Sequence, residues 1–425
     1  MRIVFSTFGT FGDVNPLIAL SLELKRRGHR PVLAVPEMFR PKIEPLGIGF
    51  ARVRPDQDPN DTRLIAMIYD IKHGTETGLR KFLFPALRES YADLLAAAEA
   101  DGGADLLVTG ELAYAGPMVA EKTGVPWASY VLAPFSFFSA YDPPVLPPYP
   151  TLARVQEIVP AFGHVVARVA RFVTRKWPEP VYQLRRELGL PPGKDPIFDA
   201  KHSESLVLAL YSSVMGAPQP DWPHAVKITG FAFYDGTGDE GRLPPELASF
   251  LESGPPPLVF TLGSAAVMHA GDFYEQSAEA AELVGQRAVL LIGADDRNLP
   301  RRKLPDTICV TRYAPYSQIF PRASVIVHQA GIGTTAQALR AGRPMLVMPY
   351  SHDQPDNARR VRRLGVAEVL GRNKYAAKAA ARLIWQVLSD NAYPARAAKV
   401  AAQIAAENGA AAACDALEAM PKRRL

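Results

Sequence analysis

The sequence predicts an α/β protein made of two doubly wound parallel-sheet domains, and three observations carry that expectation. The sequence opens twice in the same way: an apolar strand, a glycine turn and a helix at 2–27, and the same succession again at 258–284. Each start leads into a second strand, at 31–35 and at 288–292, which makes two βαβ units. Between them, from Gly216 through Pro257, lies a stretch dense in proline and glycine that suits a domain boundary. The expected division is 1–220, a linker at 221–257, a second domain at 258–408 and a terminal segment at 409–425.

The bulk properties fit this size. At 425 residues the chain can bury two sizeable cores, and a hydrophobic content of 48% marks an ordinary globular protein. A net charge of +5, from 48 basic and 43 acidic residues that are interspersed, gives no case for a nucleic-acid partner. Two cysteines, Cys309 and Cys414, imply no disulfide framework and fit a reducing cytoplasm. Arg2 leads straight into a strand without the apolar core of a signal peptide, and no run of about 18 apolar residues could span a bilayer. The 39 prolines imply ordered loops.

In chain order, Arg2–Phe8 reads as a buried strand, GTFGDVNP as a turn, and 17–27 as a helix stopped by Gly28. Gly9 and Gly12 do not complete a dinucleotide fingerprint, so NAD is not expected and the loop is free to serve an acceptor. Asp13 stands where an acidic side chain caps the helix that follows. Leu106–Thr109 is a strand ending at Gly110 and Glu111, and Glu111 is either a partner carboxylate or a solvated loop residue. The segment 133–150 carries Phe135, Phe137, Phe138 and Tyr141 ahead of five prolines; these aromatics either wall an apolar acceptor pocket or pin a surface loop to the core.

Residues 165–177 set Val165, Val166, Val169, Phe172 and Val173 on one helical face, with Arg168, Arg171, Arg175 and Lys176 largely off it. Such a helix covers a pocket or makes peripheral contact with a membrane surface. Asp295 and Asp296 follow a strand in a polar loop without further clustered ligands, so no metal site is expected there. The alanine-rich helices at 376–388 and 394–417 read as packing elements, and Lys422, Arg423 and Arg424 as a solvated tail.

The densest chemistry lies in 324–357, SVIVHQAGIGTTAQALRAGRPMLVMPYSHDQPDN. A strand ends at His328, Gly331 and Gly333 turn the chain, and Thr334 and Thr335 open a helix stopped by Gly342. The free N–H groups at such a helix start suit a diphosphate, to which His328 and a threonine hydroxyl can add donors; the alternative for His328 is a histidine satisfied at a strand end. The next strand delivers Asp353, Gln354 and Asn357 to the C-terminal edge of the sheet, where acidic and amide groups bind sugar hydroxyls.

This segment resembles the nucleotide-sugar signature of the GT-B glycosyltransferases, the group that includes small-molecule UDP/dTDP-glycosyltransferases of family 1, sterol glucosyltransferases and the B-type rhamnosyltransferases. The likeness extends along the whole sequence, clearly at the N-terminal glycine loop and weakly between about Asp56 and Pro220. It implies a GT-B architecture of two Rossmann-like domains facing each other across a cleft, with the last helix returning to the first domain. It implies that Gly12, Gly263, Ser264, His328, Gly331, Gly333, Thr334, Asp353 and Gln354 hold the nucleotide sugar and that Tyr313 stacks on the base. At the position of Asp13 the family carries its catalytic base, often as histidine and in several bacterial branches as aspartate.

The reading from residues and resemblance together is an inverting, metal-independent transfer of a hexose from a UDP- or dTDP-sugar to a hydroxyl of a lipophilic or phenolic small molecule. The donor is a co-substrate, and no cofactor is expected. An epimerase of the same shape would need no acceptor, which the aromatic loop argues against. A non-catalytic partner protein would have lost the donor-site residues that this chain keeps.

Overall fold

In a computed structural model, residues 1–56, 61–159 and 161–421 are described, and they form two compact units. The predicted tail Lys422, Arg423 and Arg424 lies outside the described residues. One unit comprises Met1–Asp61, Lys72–Phe233 and Asn408 onward; the other comprises Thr62–Ile71 and Tyr234–Glu407.

The first unit is organised on seven parallel strands: β1 (Arg2–Ser6), β2 (Arg30–Val35), β3 (Gly49–Arg52), β4 (Leu106–Gly110), β5 (Trp127–Val131), β6 (Val207–Ala209) and β7 (Val226–Ile228). Their order is β3-β2-β1-β4-β5-β6-β7. The second unit holds β8 (Leu258–Thr261), β9 (Ala288–Leu291), β10 (Ile308–Thr311), β11 (Val325–His328), β12 (Met345–Val347) and β13 (Ala367–Val369), in the order β10-β9-β8-β11-β12-β13. The central strands β1, β4, β8 and β11 are fully buried, as parallel strands covered by helices on both faces must be.

In both sheets the strand order reverses once, between β1 and β4 and between β8 and β11, with Ser6 registered on Thr109 and Val327 on Phe260. At such a reversal the connections leave to opposite sides, so a crevice opens beyond the C-terminal strand ends. Gly9, Gly12, Asp13 and Glu111 follow the strands of the first reversal, and Gly263, Ser264, Gly331 and Thr334 those of the second.

Two local differences from the expected elements have physical causes. The first helix spans Phe11–Arg26 and takes in most of the expected turn, because the Thr10 hydroxyl accepts the Gly12 N–H at 3.1 Å and starts it early. The expected helix at 394–417 is two, Ala392–Ala405 and Gly409–Glu418, separated where Asn408 accepts the Ala411 N–H. A Cβ on Gly409 would stand 2.3 Å from the Phe231 carbonyl oxygen, so only glycine allows this approach. The Gly409–Glu418 helix is held within the first unit by Arg27, whose Nη1 donates to Asp415 and Glu418 at 2.6 and 2.7 Å.

Candidate active site

In the first unit the site is built at the end of β1. Gly9, at φ +141°, brings the backbone so close to Asp13 that a Cβ there would lie 2.2 Å from Oδ2. The same Oδ2 accepts the Thr10 N–H at 2.6 Å and the Thr10 hydroxyl at 3.2 Å, so Asp13 also caps its helix. Burial pushes the Asp13 carboxyl up to about 6, against the lowering effect of the Thr10 hydrogen bonds, and the charge of Glu111 adds to the rise. The carboxyl therefore holds its proton more tightly than an ordinary aspartate does.

Glu111 is not a solvated loop residue. Its carboxylate accepts the Ser136 hydroxyl and the Lys201 ammonium, both at 2.8 Å. Burial pushes its carboxyl up, but the Lys201 charge and these hydrogen bonds outweigh that and hold it below the ordinary range. It stays ionised beside a pocket lined by Thr109, Gly110, Tyr114 and Lys201.

The aromatic loop divides. Phe137 is buried and stacks on Trp222 at 4.2 Å between ring centres, so it pins the loop and does not wall a pocket. Phe138, at φ +50°, meets the edge of Phe198, and Tyr141 meets His164. Phe135 is half-buried.

In the second unit the turn after β11 departs from expectation. The His328 ring is fully buried: Nδ1 accepts the Ala330 N–H at 3.1 Å, and Nε2 lies 3.2 Å from the Met345 sulfur. Burial pushes its pKa down to about 3, so the ring is neutral, and it presents no donor to a ligand at the turn. Its role here is to hold the Ala330 N–H, with Ala330 itself in the left-handed region at φ +64°.

The side chain that does occupy the turn is Gln329, which the sequence pattern did not single out. A Cβ added at Gly263, which sits at φ +66°, would stand 2.3 Å from Gln329 Nε2, and one at Gly331 would stand 2.8 Å away. Gln329 is buried, and its Oε1 has no hydrogen-bond partner. Burying an amide oxygen unpaired is costly, so the position favours a polar ligand or water. Its signal in the sequence was only its place, directly after the last strand residue and two before the first glycine.

Around this amide the other expected donors gather. Gly331 is the cap of the Ile332–Arg340 helix and supplies no side chain to it, so its first N–H groups stay open. Thr334, buried in that first turn, has its hydroxyl 3.2 Å from where a Gly263 Cβ would be, while Gly333 and Ser264 are exposed. Asn357 ties the next loop to this turn, donating to the Ala330 carbonyl at 3.0 Å and to Asp353 at 2.6 Å. Gln354 turns its Oε1 back to the Tyr350 N–H at 2.9 Å, which leaves its amide NH2 for a ligand. Tyr313 is 53% exposed, with its hydroxyl donating to the Glu240 carbonyl. Asp295 and Asp296 are engaged by Arg297 and Arg312 respectively.

Residues 3–137 match the glycosyltransferase family 28 N-terminal domain, and residues 278–420 the erythromycin biosynthesis protein CIII-like C-terminal domain. O-mycaminosyltylonolide 6-deoxyallosyltransferase of Streptomyces fradiae is 32% identical over 433 residues, covering 100% of this chain and 98% of the relative. A sterol 3-beta-glucosyltransferase of Neurospora crassa is 29% identical over 98% of this chain, which spans only 27% of that longer protein. Among solved structures, the spinosyn rhamnosyltransferase SpnG complexed with thymidine diphosphate superposes with a TM-score of 0.68 at 18% identity, over 98% of this chain and 100% of that one. With a relative 32% identical matched from end to end, the protein belongs to the GT-B nucleotide-sugar-dependent glycosyltransferases of the small-molecule group.

Proposed function

We propose that this enzyme moves a hexose from a UDP- or dTDP-sugar to a hydroxyl of a lipophilic or aromatic small molecule, with inversion and without a metal. The observation that carries the reading is Asp13, fixed against Gly9 with its carboxyl pushed up to about 6. The acceptor belongs to the first unit and the donor to the second. Asp13 takes the proton of the acceptor hydroxyl as that oxygen forms its bond to the anomeric carbon, and the bond from that carbon to the diphosphate breaks with its electron pair on the leaving oxygen. Glu111, paired with Lys201, stays ionised and helps keep the Asp13 pKa high.

The open N–H groups of the Ile332–Arg340 helix, the Gln329 Nε2 beside Gly263 and Gly331, and the Thr334 hydroxyl receive the charge that develops on the departing diphosphate. Asp353 and the Gln354 amide hold sugar hydroxyls, and Tyr313 offers its exposed ring to the base. Relatives that act on a mycaminosyltylonolide or on a sterol, and a structural neighbour holding thymidine diphosphate, support these substrate classes. The test is a mass-spectrometric screen of the purified enzyme with UDP- and dTDP-sugars, phenolic, macrolide and sterol acceptors, and EDTA. A sugar-plus-acceptor mass is expected, with the inverted anomer in the proton NMR spectrum of the product; product that forms only with added divalent metal, or with retained configuration, would refute the mechanism.

A further inference from the structure

Most of the exposed large apolar side chains among the described residues cluster in 141–173, and the Ala161–Thr174 helix is their centre. Its two faces are unusual. The buried Gly163 lies so near the Ala140 backbone that a Cβ would stand 2.2 Å from the carbonyl oxygen. That approach forces the small residues Ala167, Ala170 and Thr174 inward, since they share a side with Gly163 at helical spacing. The bulky ridge is then turned outward: Val169 is 54% exposed, Phe172 63%, and Ile158, just before the helix, 80%. The helix does not cover a pocket with its apolar stripe, because the stripe faces solvent.

We propose that this ridge is a docking surface for an anionic lipid bilayer. Arg168, Arg175 and Lys176 are exposed, and the Arg175 guanidinium lies 3.8 Å over the Phe172 ring, which holds a cation beside the ridge. The sequence of the helix, AFGHVVARVARFVT, contains no acidic residue. Asp199 accepts two hydrogen bonds from Arg171 of the helix, and Glu179, just beyond its end, accepts one from Arg186.

A second copy fits this face poorly, because a two-fold contact would set one cationic flank against another. An exposed apolar ridge with a cationic flank instead suits a surface that is negative outside and apolar beneath. The helix packs on the aromatic loop through Gly163 against Ala140 and His164 against Tyr141, but its outward Val169 and Phe172 are not among the residues assigned to acceptor or donor.

The test is sedimentation of the intact protein with vesicles of phosphatidylcholine alone and of phosphatidylcholine mixed with phosphatidylglycerol. Bound protein is expected to rise on the order of tenfold with the anionic lipid and to fall as salt is added. The double variant Val169→Glu with Phe172→Glu should lose that binding while keeping its melting temperature and its turnover of a soluble acceptor. Arg168→Glu with Arg175→Glu should lose the preference for anionic lipid. Equal binding to both vesicles, no binding, or unchanged binding by the variants overturns the proposal. So does a dimer in sedimentation velocity that the Val169/Phe172 variant abolishes, which would make the ridge a contact between copies.

Discussion

The two sheet reversals start from the same parts and end with opposite electrostatics. After β1, Thr10 and Asp13 cap the helix with their own side chains, so its first N–H groups are occupied and a carboxylate stands in the turn. After β11, Gly331 caps without a side chain, the N–H groups stay open, and an amide and a hydroxyl stand beside them. A closed helix start can host a base; an open one can host an anion. What each reversal does is decided by the first helical turn rather than by the sheet.

The strongest way to break this comparison is Asp13→Asn. It should lower kcat by about 10²- to 10⁴-fold with nucleoside diphosphate affinity unchanged, measured by steady-state kinetics and titration calorimetry. In the wild type, kcat/KM should fall as pH drops through about 6, because the base must be ionised and burial has raised its pKa to that value. Stability moves the other way: with a folded pKa of about 6 against an ordinary 3.8, ionising Asp13 costs stability that is lost as pH rises through that range. Asp13→Asn should therefore be at least as heat-stable as the wild type at pH 8, and a lower melting temperature there would give Asp13 a mainly capping role.

Gly9→Ala sharpens the same side, since its Cβ would meet Asp13 at 2.2 Å whereas one at Gly12 would meet Thr10 Oγ1 at 3.3 Å. Activity should collapse in Gly9→Ala and persist at a reduced level in Gly12→Ala; equal losses would separate the glycine from Asp13. On the other side, Gln329→Ala should weaken nucleoside diphosphate binding by about 10- to 100-fold, the worth of a hydrogen bond to a charged group, with the acceptor KM unchanged. Unaltered binding in a fluorescence titration would leave the anion to the helix alone. The smallest effect belongs to Ala330→Gly, where relief of the φ +64° conformation should raise stability by no more than about 1 kcal/mol in urea unfolding.

Much of this was legible in the sequence. Glycine turns after apolar strands, a threonine at a helix start and an aspartate after Gly12 report local geometry, and local geometry is what sequence pattern encodes. The direction of His328 was not legible, because both faces of a parallel sheet are covered and strand alternation does not say which side leads to a ligand. Whether Phe137 walls a pocket or pins its loop was not legible, because its stacking partner, Trp222, is remote in the chain. The helix at 161–174 showed an apolar stripe but not its direction, which depends on the approach of Gly163 to Ala140.

The path of the polypeptide has a consequence for how such enzymes can be recombined. Neither unit is one continuous segment: Thr62–Ile71 is built into the second, where Tyr69 packs edge-on against Tyr350 and His352, and the C-terminal residues are built into the first. A chimera that joins the front of this protein to the back of a relative at a single junction therefore brings a mismatched insert into each half. A functional hybrid needs 62–71 to travel with the second unit and the residues from Asn408 onward to travel with the first.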